Sequence, residues 1–385
     1  MAAAFFSDQM ARQLAPAPGL VNNRFVHAGV GHGGVRALVR QTCLSGEWAR
    51  EMAYAHADAA AAPGPGMTSL VAKRPGTALA LDLRDAQGQA RHHRVQVLHH
   101  GDGTDRTLLA IRVDGQAETQ VRLAPSTGPS ALALHASAAV STLEIRVLEG
   151  AFRFQGLKWV DAPAPAALHL DVLAYPGATM AGWVRSDLAP LAAWFQDQPY
   201  DLALIAFGTN EGNDPRFNEA AYRDTLTRAV GHFRQVFPTT QCVLIGPGDR
   251  GIRVAKSKAS KATKTAKGSK APQATKTAQK QAAPGKNQKT AKVSAKAPVA
   301  QAAPAVNLLK YARIHAQIGQ IQSEVAAQQG CLFWSMQAAM GGVGSAYSWA
   351  RQNPALMAPD LIHFTPAGYR ELANRFMADF GLTKP

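Results

Sequence analysis

Long apolar runs are missing from this sequence. No stretch approaches the roughly 18 consecutive apolar residues that a bilayer-spanning helix needs, so no segment reads as one. Cysteine is scarce, at three residues, Cys43, Cys242 and Cys331. An odd count at irregular spacing describes no disulfide framework and no metal or redox motif. Cys242, inside the apolar run QCVLIGP, reads instead as a buried, inert thiol. A secretory leader is also absent. The opening MAAAFFSDQMARQLAPAP has no basic start, and polar residues break its apolar run at once. Taken literally, that opening describes a cytoplasmic protein.

Acidic residues are lacking from one segment altogether. Between Lys256 and Lys296 there are twelve lysines and no Asp or Glu. The formal charge of the chain is +15, so the other residues together carry only +3. A nucleic-acid-like basicity therefore belongs to one tract and not to the folded parts. The tract is Lys/Ala/Thr/Gln-rich and cannot build a core, so 251–304 reads as a disordered insertion. It is either a solvated insertion or an electrostatic arm for an anionic polymer.

What is present falls into two patterns. Residues 1–62 hold a helix-like start, with Phe6, Met10 and Leu14 at i, i+4 and i+8, then a short strand in FVHAGVG. The run AAAAPGPG (59–66) has hinge composition. From 67 to 162, short runs such as TALALDL, RVQVLHH, TLLAIRV and TLEIRVLEG alternate polar with apolar residues, separated by turn-formers such as DAQGQ and GDGTD. That is the pattern of an antiparallel β-sandwich. Over 163–250 and 305–385 the pattern changes to strand then helix. YDLALIAFG, QCVLIGP and CLFW are the strands. Helices are expected near 216–236, 306–329 and after Thr365-Pro366. Alternating units of this kind build a parallel α/β sheet.

Three short segments stand at strand ends, where open α/β sheets place their chemistry. Asp360-Leu361-Ile362-His363 puts a carboxylate three residues before an imidazole. Such a pair can hold the ring in one tautomer and leave it as base for a hydroxyl nucleophile. Phe207-Gly208-Thr209-Asn210 ends the most apolar strand. Its asparagine can donate to a developing oxyanion, and Gly208 turns the backbone within the same oxyanion and substrate-binding block. Tyr175-Pro176-Gly177 follows LDVLA, and the glycine can offer an unobstructed N–H.

In this order the three segments resemble the SGNH (GDSL-like) hydrolases, with a glycine block, a G-x-N block and D-x-x-H near the C-terminus. The resemblance implies Gly177 and Asn210 as oxyanion donors, His363 as base and Asp360 as its orienter. It implies a three-layer parallel sheet with the sandwich inserted into it. FWSMQAAMGGVGSAYSW followed by DLIHFTPAGY narrows the likeness to bacterial proteins that act on O-acetylated peptidoglycan or related polysaccharide. That branch tends to carry an acid where Ser335 stands, and Ser335 is assigned no role. The resemblance implies removal of an O-acetyl group, without a cofactor, in the periplasm or cell envelope. Acetyl transfer would use the same residues.

One block of that family is missing. No Gly-Asp-Ser occurs in the 385 residues, and the chain opens on what resembles the helix that follows this motif. We therefore expect Met1 to fall just after the serine, with the preceding strand and any leader absent and the sheet truncated at its N-terminal strand. That strand would be an interior one, so the chain as written should aggregate. The alternative is a non-catalytic polysaccharide-binding protein without a nucleophile. His92, His93, His99 and His100 read as solvated strand ends, not a metal site. Phe152, Phe154 and Trp159 are the sandwich's few candidates for sugar contact.

Overall fold

The computed structural model describes residues 2–15, 21–33, 39–53, 62–85, 87–160, 168–197, 199–253 and 307–382. The lysine tract and its proposed anionic partner lie outside them. The chain opens with α1 (Ala2–Leu14), β1 (Val21–Asn22) and β2 (Phe25–His27). Ten strands follow: β3 (Gln41–Ser45), β4 (Trp48–Met52), β5 (Thr68–Ala72), β6 (Ala78–Asp82), β7 (Arg94–Asp102), β8 (Leu108–Val113), β9 (Thr119–Arg122), β10 (Thr127–His135), β11 (Thr142–Glu149) and β12 (Phe152–Trp159). The remainder alternates β13 (Leu168–His169), α2 (Ala181–Arg185), α3 (Ala189–Phe195), β14 (Leu202–Ala206), α4 (Glu219–Val236), β15 (Gln241–Gly246), α5 (Lys310–Gln329), β16 (Leu332–Ser335), α6 (Met336–Met340), α7 (Ser345–Trp349) and α8 (Pro366–Asp379).

The sandwich is two antiparallel sheets, in the orders β10-β7-β12-β5-β4 and β3-β6-β11-β8-β9. Period-two alternation builds it. In β11, Leu143, Ile145 and Val147 face the core while Glu144 and Arg146 face water. The sheets also draw in β3 and β4, which precede residue 67, and β2 pairs with Gly156–Lys158 of β12 on the edge opposite β7. Of the composition-based hinge at 59–66, residues 62–66 are described, and Pro65 and Gly66 are buried in a 3₁₀ turn. Phe152, Phe154 and Trp159 are core residues, so they offer no sugar platform. The histidine cluster also departs from the solvated reading. His99 is buried against Phe152, and His92 stacks on Trp159 with ring centroids 4.3 Å apart. Among the described residues, no group of three His, Cys, Asp or Glu is placed to hold a metal ion.

The α/β part centres on the parallel sheet β14-β15-β16. One face of β15 presents Cys242 and Leu244 to a core that takes Leu226, Val230 and Phe233 from α4 and Ile318, Ile321 and Val325 from α5. The other face presents Val243 and Ile245 to Leu372 and Phe376 of α8 and Met10 of α1. Helix, sheet, helix is the expected three-layer order. α1 lies against α8, where Phe6 meets Phe376 edge-on at 5.7 Å. Cys242 on β15 and Cys331, one residue before β16, form a disulfide across 89 residues. Cys242 is thus buried as expected but is no free thiol. Among the described residues Cys43 is the free one.

β14 differs from its neighbour. Its continuous apolar run is that of a buried parallel strand, yet no residue of LALIA is fully buried, and Leu202 is 44% exposed. Among the described residues β14 pairs only with β15, so its other edge carries no ladder. Among the same residues β13 pairs only with β1. The buried Asp171 carboxylate joins these parts in place of a ladder. It accepts the N–H of Arg24 at 2.7 Å, that of Phe25 at 3.0 Å and the Tyr200 hydroxyl at 2.7 Å. Burial pushes its pKa upward.

Candidate active site

The Asp360–His363 loop is built by its own backbone. His363 O accepts from Ala358 N at 2.8 Å, and Leu361 N donates to Ala358 O at 3.0 Å, with Leu361 at a φ of +60°. Thr365 then caps α8, its hydroxyl accepting from Gly368 N at 3.1 Å. Only glycine fits at 368, because a Cβ there would lie 1.9 Å from Leu356 O. The carboxylate of Asp360 is thereby aimed back along the turn. Oδ1 accepts the N–H of Ile362 and of His363 at 3.0 Å each, and Oδ2 accepts from His363 Nδ1 at 2.7 Å. Burial opposes ionisation of Asp360, but the His363 ring and the two N–H donors outweigh it and hold the carboxyl below its usual 3.8. An ionised partner fixes the proton on Nδ1 and leaves Nε2 as the base. The His363 side chain is 70% exposed and open to a substrate.

The two oxyanion candidates form one unit. Asn210 Nδ2 donates to Ala178 O at 2.8 Å, which ties the end of β14 to the Gly177 turn. An amide nitrogen carries two hydrogens, so one remains for an oxyanion. Gly177 has a φ of +80°, and nothing lies within 4 Å of where a Cβ would point. Sequence reasoning missed the residue that locks this unit. Glu211 accepts Met180 N at 2.9 Å and Gly208 N at 3.0 Å, one oxygen for each loop. Burial raises its pKa above 4.5. Gly208 therefore has a different role from the substrate-binding one expected. Its N–H is already taken, and at φ +110° it packs where a Cβ would meet Ile318 at 2.8 Å.

Beneath the loops, α5 acts as a floor. Gln322 donates to Phe207 O at 3.0 Å, and His315 Nδ1 lies 2.7 Å from Gly248 O. The loop after β15 completes the row. Asp249 is buried and accepts from Gln337 Nε2 and Ala346 N, each at 2.8 Å. Arg250 donates to Asn213, and Gly251 N donates to Leu361 O at 2.9 Å. The glycine, asparagine and Asp–His loops are thus linked along the C-terminal ends of the strands. Ser335 caps α6, accepting from Ala338 N at 3.0 Å. Ser7 is buried within α1 and Ser45 lies on β3.

The family model for GDSL-like lipases and acylhydrolases matches residues 153–371, a span that contains Gly177, Asn210, Asp360 and His363. The chain belongs to the GDSL-like lipase/acylhydrolase family. Among solved structures, this GDSL-like chain is similar to one titled a peptidoglycan O-acetylesterase in action. The two share 19% identity at a TM-score of 0.63, over 99% of this chain and 87% of that one. A catalytic mutant of an acetylxylan esterase from Geobacillus stearothermophilus also matches, at 16% identity and TM-score 0.30, over 57% of this chain and 74% of that one. So does a family two carbohydrate esterase from Cellvibrio japonicus, at 11% identity and TM-score 0.28, over 89% and 98%. The first of these fixes the SGNH-type fold. No curated protein sequence matches the chain.

Proposed function

We propose that the protein is a serine esterase that removes O-acetyl groups from peptidoglycan or a related cell-envelope polysaccharide. The observation that carries this is the 2.7 Å Asp360–His363 pair, linked through neighbouring loops to Asn210 and Gly177. In the reaction a serine hydroxyl attacks the acetyl carbonyl while His363 Nε2 takes its proton. Asn210 Nδ2 and the Gly177 N–H receive the oxyanion, and the imidazolium returns the proton to the departing sugar oxygen. Water then repeats the sequence on the acyl-enzyme. A sugar hydroxyl in place of water would make the reaction an acetyl transfer.

No Gly-Asp-Ser occurs among the 385 residues to supply the serine. We propose that it arrives on a strand lying beside β14, where the half-exposed edge of an apolar strand, unpaired among the described residues, supports the reading. An envelope location is supported by the Cys242–Cys331 disulfide, since such bonds persist in oxidising compartments. No helix among the described residues is long and apolar enough to cross a membrane.

The test is to extend the chain ahead of Met1 with a β-strand ending in Gly-Asp-Ser and to measure acetate released from O-acetylated peptidoglycan. Release is expected, together with its loss in His363→Ala. A soluble extended chain that releases nothing, or one whose activity survives His363→Ala, rejects the esterase reading. The first result would favour a glycan-binding protein without a nucleophile, the reading suggested by the absence of any Gly-Asp-Ser.

A further inference from the structure

The charged groups around the site are almost all satisfied. Asp360, Glu211 and Asp249 each accept at least two hydrogen bonds. Arg250 is the exception. Its guanidinium lies 4.3 Å from the ring centroid of Tyr311, and its hydrogen-bond acceptor is the neutral side-chain oxygen of Asn213. Nε is buried with no acceptor, and Arg250 forms no ion pair among the described residues. Burial weakens its hold on the proton, and the nearby charges of Tyr311 and Asp360 oppose that. The charge of Asp360 bears on Arg250, but its carboxylate oxygens bond within their own turn, and no ion pair joins the two among the described residues.

A half-buried cation without a carboxylate is uncommon, because taking the charge out of water goes uncompensated. This one stands between Asn213, on the asparagine loop, and Asp360 of the acid–base pair. Stacking on Tyr311 fixes the plane of the fork, which suits two-point recognition of a carboxylate. We propose that Arg250 receives a carboxylate of the substrate, so that the site selects an acidic glycan over a neutral one. This deepens the esterase reading and rests on it. It names a carboxylate-bearing sugar near the acetyl ester, such as a lactyl-substituted hexosamine, as the preferred class. Arg250 is then a specificity residue and takes no part in bond making.

Binding can be measured on the chain as it stands, without turnover. The probes are a disaccharide of N-acetylglucosamine and N-acetylmuramic acid and its neutral counterpart, di-N-acetylchitobiose, titrated calorimetrically. The acidic disaccharide should bind roughly tenfold more tightly, the scale of one charge-assisted contact. Arg250→Gln should bring the two ligands level, and Arg250→Lys should retain part of the preference. Equal binding by the native chain, a preference that survives Arg250→Gln, or no binding of either probe overturns the inference. Should the variants not fold, salt decides instead. The preference must shrink between about 0.05 and 0.5 M salt, as a charge contact at a partly exposed site does. Acetate release by the extended chain is a separate result. Its failure would reject the reaction and leave the binding preference to be judged by itself.

Discussion

At the scale of single residues, Asp360 does two things with one carboxylate. It closes the turn through two N–H bonds, and it orients His363. Its lowered pKa makes Asp360 take up a proton at lower pH than an ordinary aspartate, so the pair keeps its ionised member further into acid. In the extended chain, Asp360→Asn should fold and bind substrate yet lose about three to four orders of magnitude in kcat, because an amide no longer fixes the ring's tautomer. Steady-state kinetics would show this, and an unchanged kcat would remove Asp360 from the mechanism. Asn210→Ala should lower kcat by about 10²–10³ with little effect on KM, since its spare hydrogen serves only the developing oxyanion. The Asp–His pair could be read from sequence because its partners are three residues apart and their geometry is local. Glu211 and Arg250 could not be. Glu211 bonds across 31 residues and Arg250 across 37, and nothing in their neighbours announces it.

At the scale of elements, the strands and helices were legible because apolar runs and turn-formers mark them. α4, α5 and α8 and β14, β15 and β16 all lie where the pattern placed them. Lateral neighbours were not legible, because an apolar run reports what covers a strand's faces and not what lies beside it. β14 carries the apolar run of a buried strand and yet, among the described residues, ends a sheet. An open apolar edge is a site for association. The chain as written should therefore self-associate in light scattering, and Leu202→Lys, at a 44% exposed edge position, should reduce this. A monodisperse native chain would contradict the prediction. The loops above the sheet depend on Glu211. Glu211→Ala strips the acceptor from two N–H groups, each worth about 1–3 kcal/mol when buried. Urea unfolding should show the loss. Glu211→Gln, which keeps one carbonyl oxygen, should lose less.

At the scale of the whole molecule, two features set stability. The disulfide is the first, and spacing could not reveal it. The two cysteines are neighbours only because Val243 pairs with Leu332 in the parallel ladder. Closing a loop of 89 residues should stabilise by about 4–5 kcal/mol on the chain-entropy account. Replacing Cys242 and Cys331 together by serine should thus lower the melting temperature and remove its sensitivity to reductant. The second is acid sensitivity. His27 is buried where β2 meets the sandwich, its Nδ1 accepting from Gly29 N at 3.1 Å. Burial, and then the Arg50 charge, lower its pKa from 6.5 to about 4. The unfolded chain takes up a proton that the folded one refuses across this window. Stability is therefore full above 6.5 and falls as pH drops toward about 4, by on the order of 3 kcal/mol from this group. His99, lowered to about 4 by burial and then by His100, acts in the same direction. His27→Gln can keep an acceptor for Gly29 but cannot charge. It should therefore remove about half of the decline in melting temperature between these pH values. An unchanged slope would mean that protonation elsewhere unfolds the protein, with His27 open to solvent before it titrates.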